Sequence, residues 1–205
     1  MQQYLQNKKG LVQNVFNQVY DQYDLMNDFM SLGVHRLWKK SLLNMMNPSP
    51  NQKLIDVACG TGDIAKLFLN YVNKSSNITC VDPNKEMIKK GKEKLNHFEN
   101  LNWIISHAEK LLVSDNSFDF VFTNILDHSL YPDKSIAEIE RVLKKNGHVL
   151  LQITVGEATD KYGVTEIKSE RGIIKLFKKS EIIFNRSIKH YSIAQNWEIL
   201  SKKKY

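Results

Sequence analysis

The segment Leu54-Ile55-Asp56-Val57-Ala58-Cys59-Gly60-Thr61-Gly62 constrains this chain more than any other. An apolar run that reaches an acid and passes directly into a turn cornered by two glycines describes a strand delivering its tip to a following helix. A second apolar run, Ile78-Thr79-Cys80-Val81, ends on Asp82, twenty residues after Gly62, with a helical pattern between them. Together they make one βαβ unit, and such units demand a parallel sheet with helices on its faces.

The chemistry of the unit points to a nucleoside. A side chain at Gly60 or Gly62 would hinder a tight turn and a close approach of backbone to ligand. The Asp82 carboxylate, at a strand tip, can accept two hydrogen bonds from ribose hydroxyls. A dinucleotide site wants Gly-x-Gly-x-x-Gly and a helix N-terminus bare for pyrophosphate. Here Ala65 stands at the third glycine and Asp63 occupies the first turn, where an acid repels phosphate. Asp56 suits a cationic ligand, so the amine and sulfonium of S-adenosylmethionine fit this pattern better than a dinucleotide does.

The rest of the chain repeats the same rhythm. The spacing predicts strands over 53–58, 77–82, 101–106, 118–124 and 147–155, and helices over 61–72, 84–96 and 133–144. Such alternation implies an α/β fold with a Rossmann-like, doubly wound, mostly parallel seven-stranded sheet. Asn84, just after Pro83, is a candidate helix cap, and Ile136, Ile139, Val142 and Leu143 form the apolar side of a helix that should stop at Asn146-Gly147. Segments 181–190 and 192–200 read as an antiparallel strand pair closing one edge. Upstream, Val12, Val15, Phe16, Val19, Tyr20 and Tyr23 recur at offsets 0, 3, 4, 7, 8 and 11, the stripe of an amphipathic helix. A second helical stretch runs from Asp24 to Met46, interrupted near Gly33, and Pro48 and Pro50 end it. The expectation is one domain: residues 1–50 a helical cap, 51–155 a cofactor-binding core, and 156–205 a C-terminal helix with the strand pair.

Composition narrows the setting. A chain of 205 residues with 42% hydrophobic content can bury one substantial core. No run approaches the roughly 18 to 20 apolar residues of a membrane span, and the Gln- and Lys-rich start lacks a signal peptide's apolar core, which reads as cytoplasmic. Cys59 and Cys80 have no metal-ligand spacing, so both read as packing residues, and no metal is expected. The net charge of +7 and pI near 9.2 come from scattered lysines, which suit a solvated surface or attraction to an anionic membrane surface. Without an arginine cluster or an aromatic stripe, nucleic acid is not the expected partner.

In an open α/β sheet the ligand lies beyond the carboxyl ends of the strands, where strand order reverses. That gathers Asp56, Gly60, Thr61 and Gly62 from the first strand, Asp82 and the nearby Met87 from the second, His107-Ala108-Glu109 after the third, and Asn124 through Asp127-His128 after the fourth. Each has a structural alternative. Asp56 can cap its turn, His107 and Glu109 can initiate a local segment, and Asp127-His128 can be a loop pair. Methyl transfer from a sulfonium needs alignment more than acid-base help. A base is required where the acceptor is a phenolic or quinol ring carbon, and His128 is the candidate.

These residues together resemble class I S-adenosylmethionine-dependent methyltransferases. Val15-Phe16 and the run from Tyr23-Asp24-Leu25-Met26-Asn27 through Ser31-Leu32-Gly33-Val34-His35-Arg36-Leu37-Trp38-Lys39 resemble the signature of the ubiquinone/menaquinone biosynthesis C-methyltransferases. The likeness continues through Asp56 to Asp63, Asp82 with Met87, and Ala108-Glu109 to Asp119. It implies methylation of a ring carbon of a polyprenylated benzoquinol or naphthoquinol, with Thr61, Asp82, His107 and Ala108 matching the family's cofactor contacts. After Asp119 the chain departs. Asn124-Ile125-Leu126-Asp127-His128-Ser129 replaces a Ser-Phe-Gly-Leu-Arg-Asn-like segment, with His128 at the arginine implicated in catalysis. Leu151-Gln152-Ile153-Thr154-Val155-Gly156 replaces a Leu-Glu-Phe-Ser-like segment, followed by a shorter tail. Two other readings therefore stand beside quinol methylation: methylation of another small molecule, and a cofactor-binding partner protein without turnover.

Overall fold

The computed structural model describes residues 34–73, 75–126, 129–155, 169–188 and 195–204. The amphipathic stripe from Val12 to Tyr23, the first part of the second helical stretch and the Asp127-His128 pair lie outside these residues. The described chain runs α1 (Val34–Met46), β1 (Leu54–Val57), α2 (Asp63–Tyr71), β2 (Ile78–Asp82), α3 (Lys85–Lys94), β3 (Leu101–Ile105), β4 (Phe118–Thr123), α4 (Pro132–Val142), β5 (Leu143–Val155), α5 (Glu170–Ile174), β6 (Ser180–Ile188) and β7 (Gln195–Lys203).

The strands form one seven-stranded sheet in the order β3-β2-β1-β4-β5-β7-β6. β1 to β5 are parallel, and β7 lies antiparallel between β5 and β6. The chain moves outward from β1 to β3 and then returns to the other side of β1 with β4. The order therefore reverses between β1 and β4, the position at which α/β sheets open a crevice.

Alternation along β1 assigns its faces. Ile55 and Val57 point into a core with Val121, Ile136, Ile139, Val149 and Ile199, whereas Leu54 belongs to the opposite core with Leu42, Leu43, Ile64, Phe68, Ile78 and Phe122. Asp56 has the parity of Leu54 and so faces the layer that holds α1 and α2. α1 is held there by Leu42, Leu43 and Met46, all buried, and each such side chain contributes about 1.5–3 kcal/mol through burial. Phe68 of α2 meets Phe120 edge-on with ring centroids 5.9 Å apart.

One boundary departs from the expected pattern. The helix expected to stop at Asn146-Gly147 ends at Val142, and β5 starts at Leu143, four residues before the expected strand. The amides of Asn116 and Ser117, in the loop before β4, donate to the carbonyls of Arg141 and Val142 at 3.0 and 2.8 Å. Those two carbonyls are thereby satisfied from outside the helix, and the chain turns extended at Leu143. Asn146, with φ of 64°, then sits within the strand's irregular start, where the register with β4 shifts between Phe118 and Phe120.

Candidate functional site

The carboxyl ends of β3, β2, β1 and β4 are neighbours in the sheet, and they bring most of the expected site residues together. After β1 the backbone takes a left-handed step at Ala58, with φ of 60°, and again at Gly60 (56°) and Gly62 (84°). Gly62 is the N-cap of α2 in that conformation, and a Cβ there would also lie 2.8 Å from Cη2 of Trp103. Glycine is required at this corner for two independent reasons, one conformational and one steric.

Asp82 closes β2 and is buried. Its Oδ2 accepts the Gly60 amide at 2.9 Å and its Oδ1 accepts the Asn84 amide at 2.8 Å. Each oxygen keeps a further lone pair for a ligand. Burial raises the Asp82 carboxyl above the ordinary range, and the two amides pull it back. Asn84 fulfils the expected capping role: its Oδ1 accepts the amides of Glu86 and Met87 at 2.9 and 3.3 Å. That cap fixes Met87, buried, in the first turn of α3 beside the Asp82 tip.

Asp56 is 1% exposed. Ala65, in the first turn of α2, donates a backbone hydrogen bond to the carboxylate, while Oδ2 has no hydrogen-bond partner. Burial first, then the negative charges of Asp82 and Asp63, push its pKa up to about 7 against the opposing pull of Lys39. A buried carboxylate with an unused oxygen is costly unless a donor or cation meets it.

Asp63 does not confront the crevice as a bare charge. Its carboxylate binds Lys39 of α1 at 2.6 Å and Lys94 of α3 at 2.7 Å. Burial alone would raise it, but the two lysines hold it at about 2. The expectation that this acid repels phosphate therefore overlooks two neutralising cations. Thr61 is also engaged: its hydroxyl accepts from Lys94 Nζ at 3.1 Å.

The remaining candidates are set out by the turns after β3 and β4. His107 is exposed and Ala108 is buried in the turn beyond Ile105, and Asn124 is exposed immediately after β4. Glu109 takes a structural part, accepting from the Ser129 hydroxyl at 2.9 Å, and so ties the two turns together. His128 lies outside the described residues. Among the described residues no three His, Cys, Asp or Glu side chains converge on a metal position, and no helix is long and apolar enough to cross a membrane.

Four participants were not foreseen from sequence. Lys39 and Lys94 clasp Asp63, Trp103 lies against Gly62, and Thr123, fully buried, donates its hydroxyl to the Val57 carbonyl at 2.9 Å and accepts the Ile125 amide at 3.3 Å. All four act across elements. Two left a trace in the sequence: Lys94 follows Met87 and Gly91 at helical spacing on one side of α3, and Lys39 closes the signature run that begins at Tyr23, though neither position announces Asp63 as its partner.

The ubiE/COQ5 methyltransferase family model matches residues 2–162. The chain belongs to this family. It is 44% identical over 148 residues to the ubiquinone/menaquinone biosynthesis C-methyltransferase UbiE of Rickettsia prowazekii, covering 68% of this chain and 59% of that protein. It is 37% identical over 181 residues to the mitochondrial 2-methoxy-6-polyprenyl-1,4-benzoquinol methylase of Gallus gallus, covering 70% of this chain and 58% of that one. The chain thus spans less than two thirds of the length of these curated relatives. Among solved structures, the N-methyltransferase NodS of Bradyrhizobium japonicum superposes with a TM-score of 0.70 at 11% identity, over 83% of this chain and 97% of that one. The [4+2]-cyclase SpnF superposes with a TM-score of 0.71 at 16% identity, over 84% and 82%. Those two likenesses establish the class I methyltransferase fold, and the cyclase shows that the fold alone does not fix the reaction.

The residues present fit the family's cofactor, S-adenosylmethionine. The unpartnered Asp56 oxygen suits its cationic amine, and the spare lone pairs of Asp82 suit a ribose diol.

Proposed function

We propose that this chain is an S-adenosylmethionine-dependent methyltransferase that methylates a ring carbon of a prenylated benzoquinol or naphthoquinol. The observation that carries the reading is the buried Asp56 carboxylate under the Gly60–Gly62 turn, with its Oδ2 left without a hydrogen-bond partner, one strand from Asp82, in a chain of this family. When bound, the cofactor supplies an electrophilic methyl group on sulfur. Asp82 and Asp56 grip its two polar ends, with Gly60, Thr61, Gly62, Met87, His107, Ala108 and Asn124 forming the surrounding wall. His128 takes the proton of the ring hydroxyl, which raises electron density at the neighbouring carbon. Residues 1–50 act as a helical cap over the 51–155 core. The excess of lysine draws the protein to an anionic membrane surface, where a prenylated acceptor resides.

The test is incubation with methyl-labelled cofactor and quinol extract from cells unable to methylate it. Label in the quinone fraction supports the reading. The departure at Asn124–Ser129 favours a second reading, another small-molecule acceptor, and label confined to a water-soluble product would select it. Cofactor binding without turnover on either fraction would leave a partner protein. If His128 is the base, His128→Gln lowers the rate at least about a hundredfold with cofactor affinity unchanged.

A further inference from the structure

The glycine turn carries more positive charge than its own acid needs. Asp63, in the first turn of α2, is held between Lys39 Nζ at 2.6 Å and Lys94 Nζ at 2.7 Å. Two ammonium groups on one carboxylate leave one positive charge beside the turn. The side chains of Lys39, Lys94 and Asp63 are 13%, 26% and 33% exposed, so water and salt screen that excess less than they would on an open surface. An anion is its electrostatic complement.

Lys94 also donates from Nζ to the Thr61 hydroxyl at 3.1 Å. An ammonium cannot accept, so it occupies a lone pair of that oxygen, and the O–H turns away from it. Thr61 is buried and lies between Gly60, whose amide is bonded to Asp82, and Gly62, the N-cap of α2. α3 fixes this contact along its length. Its cap Asn84 is tied to Asp82, Gly91 lies so near the Thr61 carbonyl that a Cβ there would stand 3.2 Å away, and Lys94 reaches the hydroxyl. One face of the helix thus spans the turn from the Asp82 tip to Thr61.

Asp56, under the same turn, offers the opposite sign, a carboxylate whose Oδ2 has no hydrogen-bond partner. A ligand that meets both is a zwitterion, and an amino-acid end carries its amine and its carboxylate on one carbon. We propose that Lys94 is a positioning residue for the carboxylate of the methyl donor's amino-acid end: bonded to Thr61 and Asp63, it fixes the threonine hydroxyl and supplies the positive charge that this carboxylate meets at the glycine turn. The proposal rests on the reading of the crevice as a methyl-donor site. It adds which charge of the donor is recognised by which side of the turn.

Two probes separate the carboxylate from the rest of the ligand. S-adenosylhomocysteine keeps the amine, carboxylate and ribose of the donor, and its decarboxylated analogue S-adenosyl-3-thiopropylamine lacks the carboxylate alone. Each is titrated calorimetrically into the full chain. Lys94→Met keeps the apolar stem and removes the charge, while Asp63 retains Lys39. The variant binds S-adenosylhomocysteine about tenfold more weakly than wild type, the scale of one charge-assisted hydrogen bond. Its affinity for the analogue changes by no more than about twofold. Lys94→Arg keeps the charge and restores binding. Thr61→Val shows the same selective loss, and adding it to Lys94→Met weakens binding by no more than about a further twofold, because both act on one carboxylate.

Equal weakening of both probes in Lys94→Met and in Thr61→Val overturns the proposal, since it marks residues that only hold the turn in shape. Unchanged affinity for both probes overturns it too, as do an arginine variant as weak as the methionine one and losses that add in the double variant. A wild type that binds the two probes equally well overturns the proposal and leaves the methyl-donor reading standing. A wild type that binds neither overturns that reading, and the proposal with it.

Discussion

At the residue scale, Asp56 sets stability against function. Its carboxyl has a pKa of about 7 in the folded chain against a reference of 3.8. Between about pH 4 and 7 the unfolded chain has released this proton while the folded chain holds it. Stability from this group therefore falls as pH rises through that window, and above pH 7 the full cost of a buried charge is present. Asp56→Asn removes the slope. The variant is expected to gain on the order of 1–3 kcal/mol over wild type at pH 8 and almost nothing at pH 4, less than the whole linkage because the new amide hydrogens also need partners. Urea unfolding at the two pH values measures it, and equal gains at both would show that Asp56 is already ionised without penalty. The same variant should lose most of its affinity for S-adenosylhomocysteine. Ala58 carries a related strain, holding φ of 60° with a side chain present.

At the element scale, Trp103 on β3 is wedged against two glycines. A Cβ at Gly91 in α3 would stand 2.5 Å from the indole Cη2 and 3.2 Å from the Thr61 carbonyl, and one at Gly62 would meet the same ring. Alanine is the better helix former by about 1 kcal/mol, so an exposed Gly91→Ala would stabilise α3. Here the clash governs: the expected result is a net loss of about 1–3 kcal/mol. Combining it with Trp103→Leu should cost less than the two single losses added, and additivity in a double-mutant cycle would dismiss the wedge. The strand and helix rhythm, the Asn84 cap and the Asp82 tip were legible in the sequence because each depends on residues a few positions apart. The wedge was not, because nothing in Gly91 or Trp103 announces a partner twelve residues away on a different element. The early end of α4 escaped for the same reason: the amides of Asn116 and Ser117 that take up its carbonyls precede it by some twenty-five residues.

At the scale of the whole molecule, the sheet divides into a half that holds the crevice and a half that holds the sheet together. Asp56, Gly60, Gly62 and Asp82 were readable as a group because β1-α2-β2 is one local unit, whereas the Lys39–Asp63–Lys94 clasp unites three helices and shows only in the fold. On the other side, β5 is paired with β7 from His148↔Lys202 to Val155↔Gln195. Ile199 of β7 is fully buried in the core with Val149 and Leu151. Lys203, also buried, donates from Nζ to the Asn116 side chain at 2.7 Å and to the Leu143 carbonyl at 2.6 Å, bracing the irregular start of β5. Ending the chain at Lys179 would delete β6 and β7 yet keep every candidate residue of the donor pocket. It would also leave β5 as a long, apolar, unpaired edge, the arrangement that templates edge-to-edge association. The expected product is aggregated on gel filtration and lacks a cooperative urea transition, with no binding of S-adenosylhomocysteine. A monomeric truncated chain that binds the ligand would show instead that β1 to β4 fold and assemble the pocket without the antiparallel pair.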